Sequence, residues 1–436
     1  MNTPIRSPLS RAAVIAALAM NGACTSSSST TAGGAAAPNA VGTPEYFDTK
    51  MAWERAPLRQ HPLHLADGAI SGEIESDAPP RIECSSVDGS GTSCSVMATL
   101  GEDEYGDARV VDCTVMDRIV HFGVMVKSLQ GDLVLTELPV VEAWQVGDGV
   151  AGSFEANVRT EDGGVFGTYK FAMLLSRGNI AACVDRAPGG RETFQRVARG
   201  LFDSLRFAET DDPPLFTLGY RMREGDQAVG FRYGRLYERE DGTFVEESES
   251  FGLRTTEDTW SVLDYRQTVE RNVTGEITLY QSALWSDGNG PHVITARPSE
   301  GGRFRIKAEV GERSDSLELT PKAPLGTELW SAVALGRIAS GNLGSHVYAE
   351  PGLEHGDPSL DYILLDHSAP GVVAERQVAH GDYKSHDANL PSDELHVDDR
   401  GVVVKEVSSH SVAELLFASG SLPTAATPRP TRRARR

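Results

Sequence analysis

The chain has 436 residues, 40% of them hydrophobic and 24% charged, enough apolar sequence for two or three cored domains. Asp and Glu number 62 against 41 Lys and Arg, a formal net charge of −21. A surface of that sign repels nucleic acid and disfavours broad adhesion to anionic lipid headgroups, because both kinds of contact need Lys and Arg.

The N-terminus carries Arg6 and Arg11, then a short apolar run over 12–20 (AAVIAALAM). Such a run cannot cross a hydrocarbon core, which takes about 20 residues. It fits the apolar region of a secretory signal, followed here by Asn21-Gly22-Ala23-Cys24. The small-small-Cys ending resembles the lipobox of bacterial lipoproteins, with Asn21 where that motif usually has an aliphatic residue. The resemblance implies a signal peptide over 1–23, lipid on Cys24 and a membrane anchor in the bacterial envelope. With no Asp after Cys24, it implies the outer membrane of a Gram-negative host. Residues 25–31 are Ser and Thr only, and 32–38 are Ala, Gly and Pro, so 24–44 reads as a flexible tether.

Beyond Cys24 stand Cys84, Cys94, Cys113 and Cys183, which allow three pairings. An exported compartment is oxidising, so disulfides are expected. Cys84 and Cys94 flank a turn-rich SSVDGSGTS and can close a hairpin, leaving Cys113 and Cys183 to staple two strands. No CxxC pair is present to suggest a zinc site.

Residues 45–80 are polar and proline-rich, without clear periodicity. From Arg81 onward, short apolar or alternating runs lie between Gly and Asp turns. Strands are expected at 119–126, 133–138, 165–175 and 180–184, the last two joined by Arg177-Gly178-Asn179. Gly147, Gly149 and Gly152 match G-x-G-x-x-G, but 153–158 alternates like a strand. The glycines therefore read as a hairpin turn rather than a dinucleotide fingerprint. After Pro188-Gly189-Gly190 the period changes. Phe194, Val197, Leu201, Phe202 and Leu205 share one face of an amphipathic helix. The 171–183 hairpin and the helix over 191–207 together resemble the Mog1/PsbP-type α/β sandwich of small bacterial lipoproteins. That resemblance implies such a domain over 45–210 and contributes no catalytic residues.

Asp211-Asp212-Pro213-Pro214 breaks any helix and marks an internal boundary. Over 215–422 strand-like runs recur at 229–237, 243–253, 260–269, 277–284, 292–296, 303–310 and 314–319. After one helix over 328–338 they resume at 362–366, 372–378, 394–397 and 402–407. Strand–turn repetition of this kind means an antiparallel meander over 211–422. The strand lengths and turns at 230–236, 252–268, 275–284 and 395–407 resemble LolA-like and DUF3108-like envelope β-sheet proteins. The tail, 423–436, is rich in Pro, Ala, Thr and Arg and reads as disordered. The expected class is therefore α+β: an N-terminal antiparallel sheet with a packed C-terminal helix, followed by an all-β curved sheet or half-barrel domain.

Trp260, Tyr265, Tyr280 and Trp285 are candidates for one face of that sheet, either as core or as a concave apolar surface for an acyl chain. Seven of eleven His residues fall between His346 and His410, and His380, His386 and His396 are weak metal candidates in a loop-like stretch. No nucleophile elbow or P-loop occurs. The expectation is a non-catalytic envelope lipoprotein without a cofactor. Its partners would be the membrane, through a lipid anchor, and a lipid or an envelope protein. The alternatives are a structural or assembly protein of the envelope, its Arg-rich tail meeting anionic components, and a metal-dependent hydrolase using the late histidines.

Overall fold

The computed structural model describes residues 57–87, 91–102, 108–116, 133–135, 140–160, 166–176, 179–187, 190–208, 214–256, 259–286, 289–340, 342–354, 357–366, 374–380, 392–398, 400–408 and 411–422. The signal-like segment, Cys24, the tether, the 119–126 run, Asp211–Pro213, His386 and the tail lie outside them.

The first part of the chain forms β1 (Arg59–Leu65), β2 (Ile70–Ser76), β3 (Arg81–Val87), β4 (Gly91–Glu102), β5 (Ala108–Met116), β6 (Leu133–Leu135), β7 (Val140–Val146), β8 (Gly149–Thr160), β9 (Phe166–Ser176) and β10 (Asn179–Asp185). Helix α1 (Arg191–Ser204) and β11 (Arg206–Phe207) follow. Strands β1, β2 and β11 make a small first sheet. The second sheet runs β3-β4-β5-β10-β9-β8-β6, with β7 also paired to β8. Alternation turns Val111, Cys113, Val115, Leu174, Ala181 and Cys183 to one face, where Phe194, Val197, Leu201 and Phe202 of α1 pack beside Leu63, Ile70 and Ile74 of the first sheet. The opposite face carries Val150, Phe154, Phe171, Met173, Leu175, Ile180 and Ala182. Both faces are covered, so every residue of β10 is buried and the strand reads as a near-continuous apolar run.

The expected disulfides form. Cys84 faces Cys94 across β3 and β4, and Cys113 faces Cys183 across β5 and β10, each pair 4.0 Å apart at Cα. Two disulfides place the chain in an oxidising, exported compartment. Among the described residues no helix is long and apolar enough to cross a membrane.

The second part forms β12 (Pro214–Glu224), β13 (Gln227–Glu238), β14 (Phe244–Thr256), β15 (Thr259–Arg271), β16 (Ile277–Ser286), β17 (Asn289–Pro298), β18 (Phe304–Val310) and β19 (Arg313–Leu319). Helix α2 (Glu328–Ala339) follows, then β20 (Ser345–Glu354), β21 (Asp357–Asp366), β22 (Ala374–His380), β23 (Ser392–Val397), β24 (Val403–Val407) and β25 (Val412–Gly420). All fourteen strands join one antiparallel sheet in which β12 pairs with β25, fusing two meanders side by side. The outer strands of the two meanders meet face to face: Val269, Tyr280, Ile294 and Ile306 pack with Ala349, Leu360 and Tyr362. The sheet curls around α2, whose Leu335 and Ile338 pack on Tyr348, Ile363, Leu395 and Val403, and whose Leu329 packs on Phe216, Leu218 and Val402. The convex face carries Phe231, Tyr233, Phe251 and Phe417 onto the second sheet, where the Phe154 and Phe251 rings stand 6.4 Å apart.

The α+β expectation is corrected. Strands make up 69% of the structure and helix 12%, with two α-helices among the described residues, so the chain is essentially all-β. Helix α1 forms and packs as the periodicity predicts but ends at Ser204, short of the expected 207, because Arg206 and Phe207 pair with β2 as β11. The layer it forms is shared with the β1–β2 hairpin, which lies in a stretch without clear periodicity in the sequence.

Candidate functional site

A cavity of about 230 Å³ lies between α2 and the concave face of the large sheet. Its floor follows from register. Leu218 pairs with Gly234, Gly234 with Ser248, and Ser248 with Gln267, so one row of four strands carries two very small residues at its centre. The adjoining row is Tyr220, Arg232, Ser250 and Tyr265. The missing side-chain volume at Gly234 and Ser248 is the space the cavity occupies. Leu329, Ala332 and Leu335 of α2, with Val402 and Val403, give it an apolar roof, and Glu246, Glu328 and Glu350 also line it.

The polar end centres on Gln267, whose Nε2 donates to Glu350 Oε1 at 2.6 Å and to the hydroxyls of Tyr265 and Tyr280 at 3.1 Å each. The Tyr280 hydroxyl also donates to Glu350 Oε1, at 3.1 Å. Burial pushes the Glu350 carboxyl up to about 7; the hydrogen bonds from Gln267 and Tyr280 oppose the rise, and the charges of Glu246 and Glu328 add to it. Burial also raises Tyr265 and Tyr280, so both stay protonated donors at neutral pH.

A second cluster fixes the helix to the sheet. Thr327 caps α2, its Oγ1 accepting from the Trp330 amide at 3.4 Å. The same hydroxyl donates to Glu246 Oε2 at 2.6 Å and accepts from Arg271 at 2.9 Å. Arg271 is 1% exposed, bonds Gly275 O at 3.1 Å and lies 4.5 Å from the centre of the Trp330 ring. Burial raises the Glu246 carboxyl, and the Arg271 guanidinium pulls against that rise. Across the cavity, Arg232 bridges Glu328 at 3.0 Å and Glu406 at 3.2 Å and stacks over Tyr220. The Tyr220 hydroxyl ties β12 to β24 through Val403 O at 2.8 Å.

The four aromatic candidates separate. Tyr265 lines the cavity and Tyr280 stands behind it in the same hydrogen-bond cluster. Trp285 pairs with Asp264, which pairs with Phe251, so it belongs to the opposite, convex face. Trp260 lies in β15, its side chain outside the described residues. His380 lies in β22, its side chain likewise outside them, and His396 Nε2 sits 2.7 Å from Glu394. Among the described residues no group of three His, Cys, Asp or Glu side chains is placed to hold a metal.

The residues that give the cavity its chemistry, Arg232, Glu246, Gln267, Glu328 and Glu350, were not singled out from sequence. The one available signal is a charged or amide residue at an inward strand position, as in Phe244-x-Glu246-x-Ser248-x-Ser250. Compared with the profiles of known protein families and with curated proteins, the chain matches none.

Proposed function

We propose that this protein is an exported binding module whose curved C-terminal sheet holds one small amphipathic ligand beneath α2. The observation that carries the reading is the cavity: an apolar roof and side wall, a hydrogen-bonding end at Gln267 and Glu350, and about 230 Å³ of space. An apolar cavity of about 150 Å³ is known to take up benzene, so this one has room for a ring with a short tail or a single acyl chain. It is smaller than the roughly 300–1,000 Å³ of drug-sized pockets, and a two-chain phospholipid exceeds it. The disulfides support export, and the Cys24 motif supports a lipid anchor in the bacterial envelope, at the outer membrane of a Gram-negative cell. The tether then presents the binding domain at the membrane surface. The curled antiparallel sheet around a helix supports the likeness to LolA-like envelope proteins.

Two experiments test this. An environment-sensitive apolar fluorophore should bind the purified chain and be displaced by single-chain amphiphiles. Ala332→Leu fills the cavity from α2 and should abolish that binding while leaving the circular dichroism unchanged. Equal fluorophore binding by the variant would place the probe elsewhere and remove the cavity from the argument. For the anchor, Cys24→Ser should move the protein from membrane to soluble fractions, and unchanged fractionation would reject it.

A further inference from the structure

The charge of the cavity names the class of ligand. Four glutamates border it, Glu246, Glu249, Glu328 and Glu350, against one guanidinium, that of Arg232. Glu249 pairs with Tyr233 and Arg266, so alternation turns its side chain to the convex side and leaves three carboxyls facing in. The Arg232 charge is already engaged by Glu328 and Glu406. Glu246 has Arg271 at 3.6 Å. Glu350 is different. It receives hydrogen bonds from the neutral groups of Gln267 and Tyr280, and among the described residues no Arg, Lys or His stands within ion-pair distance of it.

We infer, building on the ligand-binding reading above, that the cavity is made for an amphiphile bearing a protonated amine, with Glu350 as the counter-ion of its ammonium group. A carboxylate or phosphate head would enter a space lined by surplus negative charge, and the only cation in its lining among the described residues, Arg232, is already engaged by Glu328 and Glu406. An ammonium would meet the one inward-facing carboxyl with no ion-pair partner among the described residues, and its hydrogens would find acceptors in Glu350 and in the Tyr265 hydroxyl. The apolar body would lie along Leu218, Leu329 and Val402.

The groups around Glu350 bear on pH. Glu246 lies on β14, Glu328 on α2, Tyr265 and Arg271 on β15, and Tyr280 on β16. Asp361 is its cross-strand neighbour on β21, with its carboxyl over Gly352. Burial first, and then the charges of Glu246 and Glu328, disfavour a negative Glu350, while the hydrogen bonds from Gln267 and Tyr280 and the charge of Arg271 favour it, and its carboxyl is pushed up to about 7. An arriving ammonium ionises it, and the proton leaves to solvent. Amine binding therefore tightens as pH rises through 7 and levels off above it.

The test is isothermal titration of the purified full chain with octylamine, octanol and octanoate at pH 6 and pH 8. We expect octylamine to bind at least tenfold more tightly than octanoate at pH 8. We expect it to weaken about tenfold at pH 6, with proton release, because a group titrating near 7 is about nine-tenths protonated there. Glu350→Gln should abolish the pH dependence and the preference for the amine while octanol binding persists. Octanoate binding as tightly as octylamine, or an unchanged pH dependence in Glu350→Gln, overturns the inference and leaves the binding module standing. Silence from all three ligands overturns both.

Discussion

Thr327→Ala removes one hydroxyl that does three things at once. It caps α2 through the Trp330 amide, donates to Glu246 and accepts from Arg271. Loss of an N-cap costs about 1 kcal/mol. Two buried polar groups then lose a partner, at about 1–3 kcal/mol for leaving such groups unsatisfied. Arg271 keeps its bond to Gly275 O, which limits its share. The sum is about 2–4 kcal/mol, large against the few kcal/mol by which a domain is stable. Thr327→Ser keeps the hydroxyl and loses one methyl group, about 0.8 kcal/mol. Urea unfolding followed by circular dichroism and by total tryptophan fluorescence measures both variants. A Thr327→Ala protein within 0.5 kcal/mol of wild type, or a Thr327→Ser protein as damaged as the alanine variant, would refute the claim that this hydroxyl anchors the helix over the cavity.

Further outcomes follow from other positions. The folded Glu350 carboxyl titrates near 7 against 4.5 for the free group, so the fold favours its protonated form. The stability it lends is complete below about 4.5 and is lost as pH rises through 7, a change of about 3 kcal/mol at 1.36 kcal/mol per pH unit. Glu350→Gln should therefore match wild type near pH 4.5 and exceed it by up to about 3 kcal/mol at pH 8; a constant difference across that range contradicts the assignment. The Cys113–Cys183 bridge closes 70 residues and Cys84–Cys94 closes 10. Chain entropy then gives about 4 and about 3 kcal/mol for their removal, readable from denaturation midpoints of the double Cys→Ala variants. Gly401 has φ +86°, and a Cβ there would stand 2.0 Å from Ala332 O, so Gly401→Ala should push the β23–β24 turn off α2 and cost more than about 2 kcal/mol. Gly152 lies against the Phe231 ring, a built Cβ meeting it at 2.4 Å. Gly152→Val should cost about 1–3 kcal/mol by wedging the second sheet and the fourteen-stranded sheet apart, visible as faster proteolysis between them.

Strand positions were legible wherever one face is wet or a turn carries Gly. Residues 229–237 and 243–253 alternate visibly, and Asp398 closes its turn through bonds from the amides of Arg400 and Val402 at 3.0 and 2.9 Å. The helix over 191–204 announced itself through Phe194, Val197 and Leu201. What escaped was long-range. In β1 (RQHPLHL), two His and a Pro mask the buried Leu63 and Leu65, and only its pairing with β2 reveals the pattern. The joining of β12 to β25 spans nearly the whole C-terminal region and leaves no local trace. The cavity escaped for the same reason. Gly234, Ser248 and Gln267 are ordinary strand residues until register sets them in one row, and Glu350 reaches Gln267 from 83 residues away. Aromatic content suggested a lined face but not which side of the sheet each ring takes, so Tyr265 and Trp285 looked equivalent and are not.

The most direct measurement is native mass spectrometry of the chain purified gently from its own envelope, followed by solvent extraction. Wild type should carry close to one equivalent of a single-chain amphiphile, and Ala332→Leu should carry none. A wild-type chain with nothing bound, or the same adduct on the filled-cavity variant, would contradict the proposal that the space under α2 is a binding site.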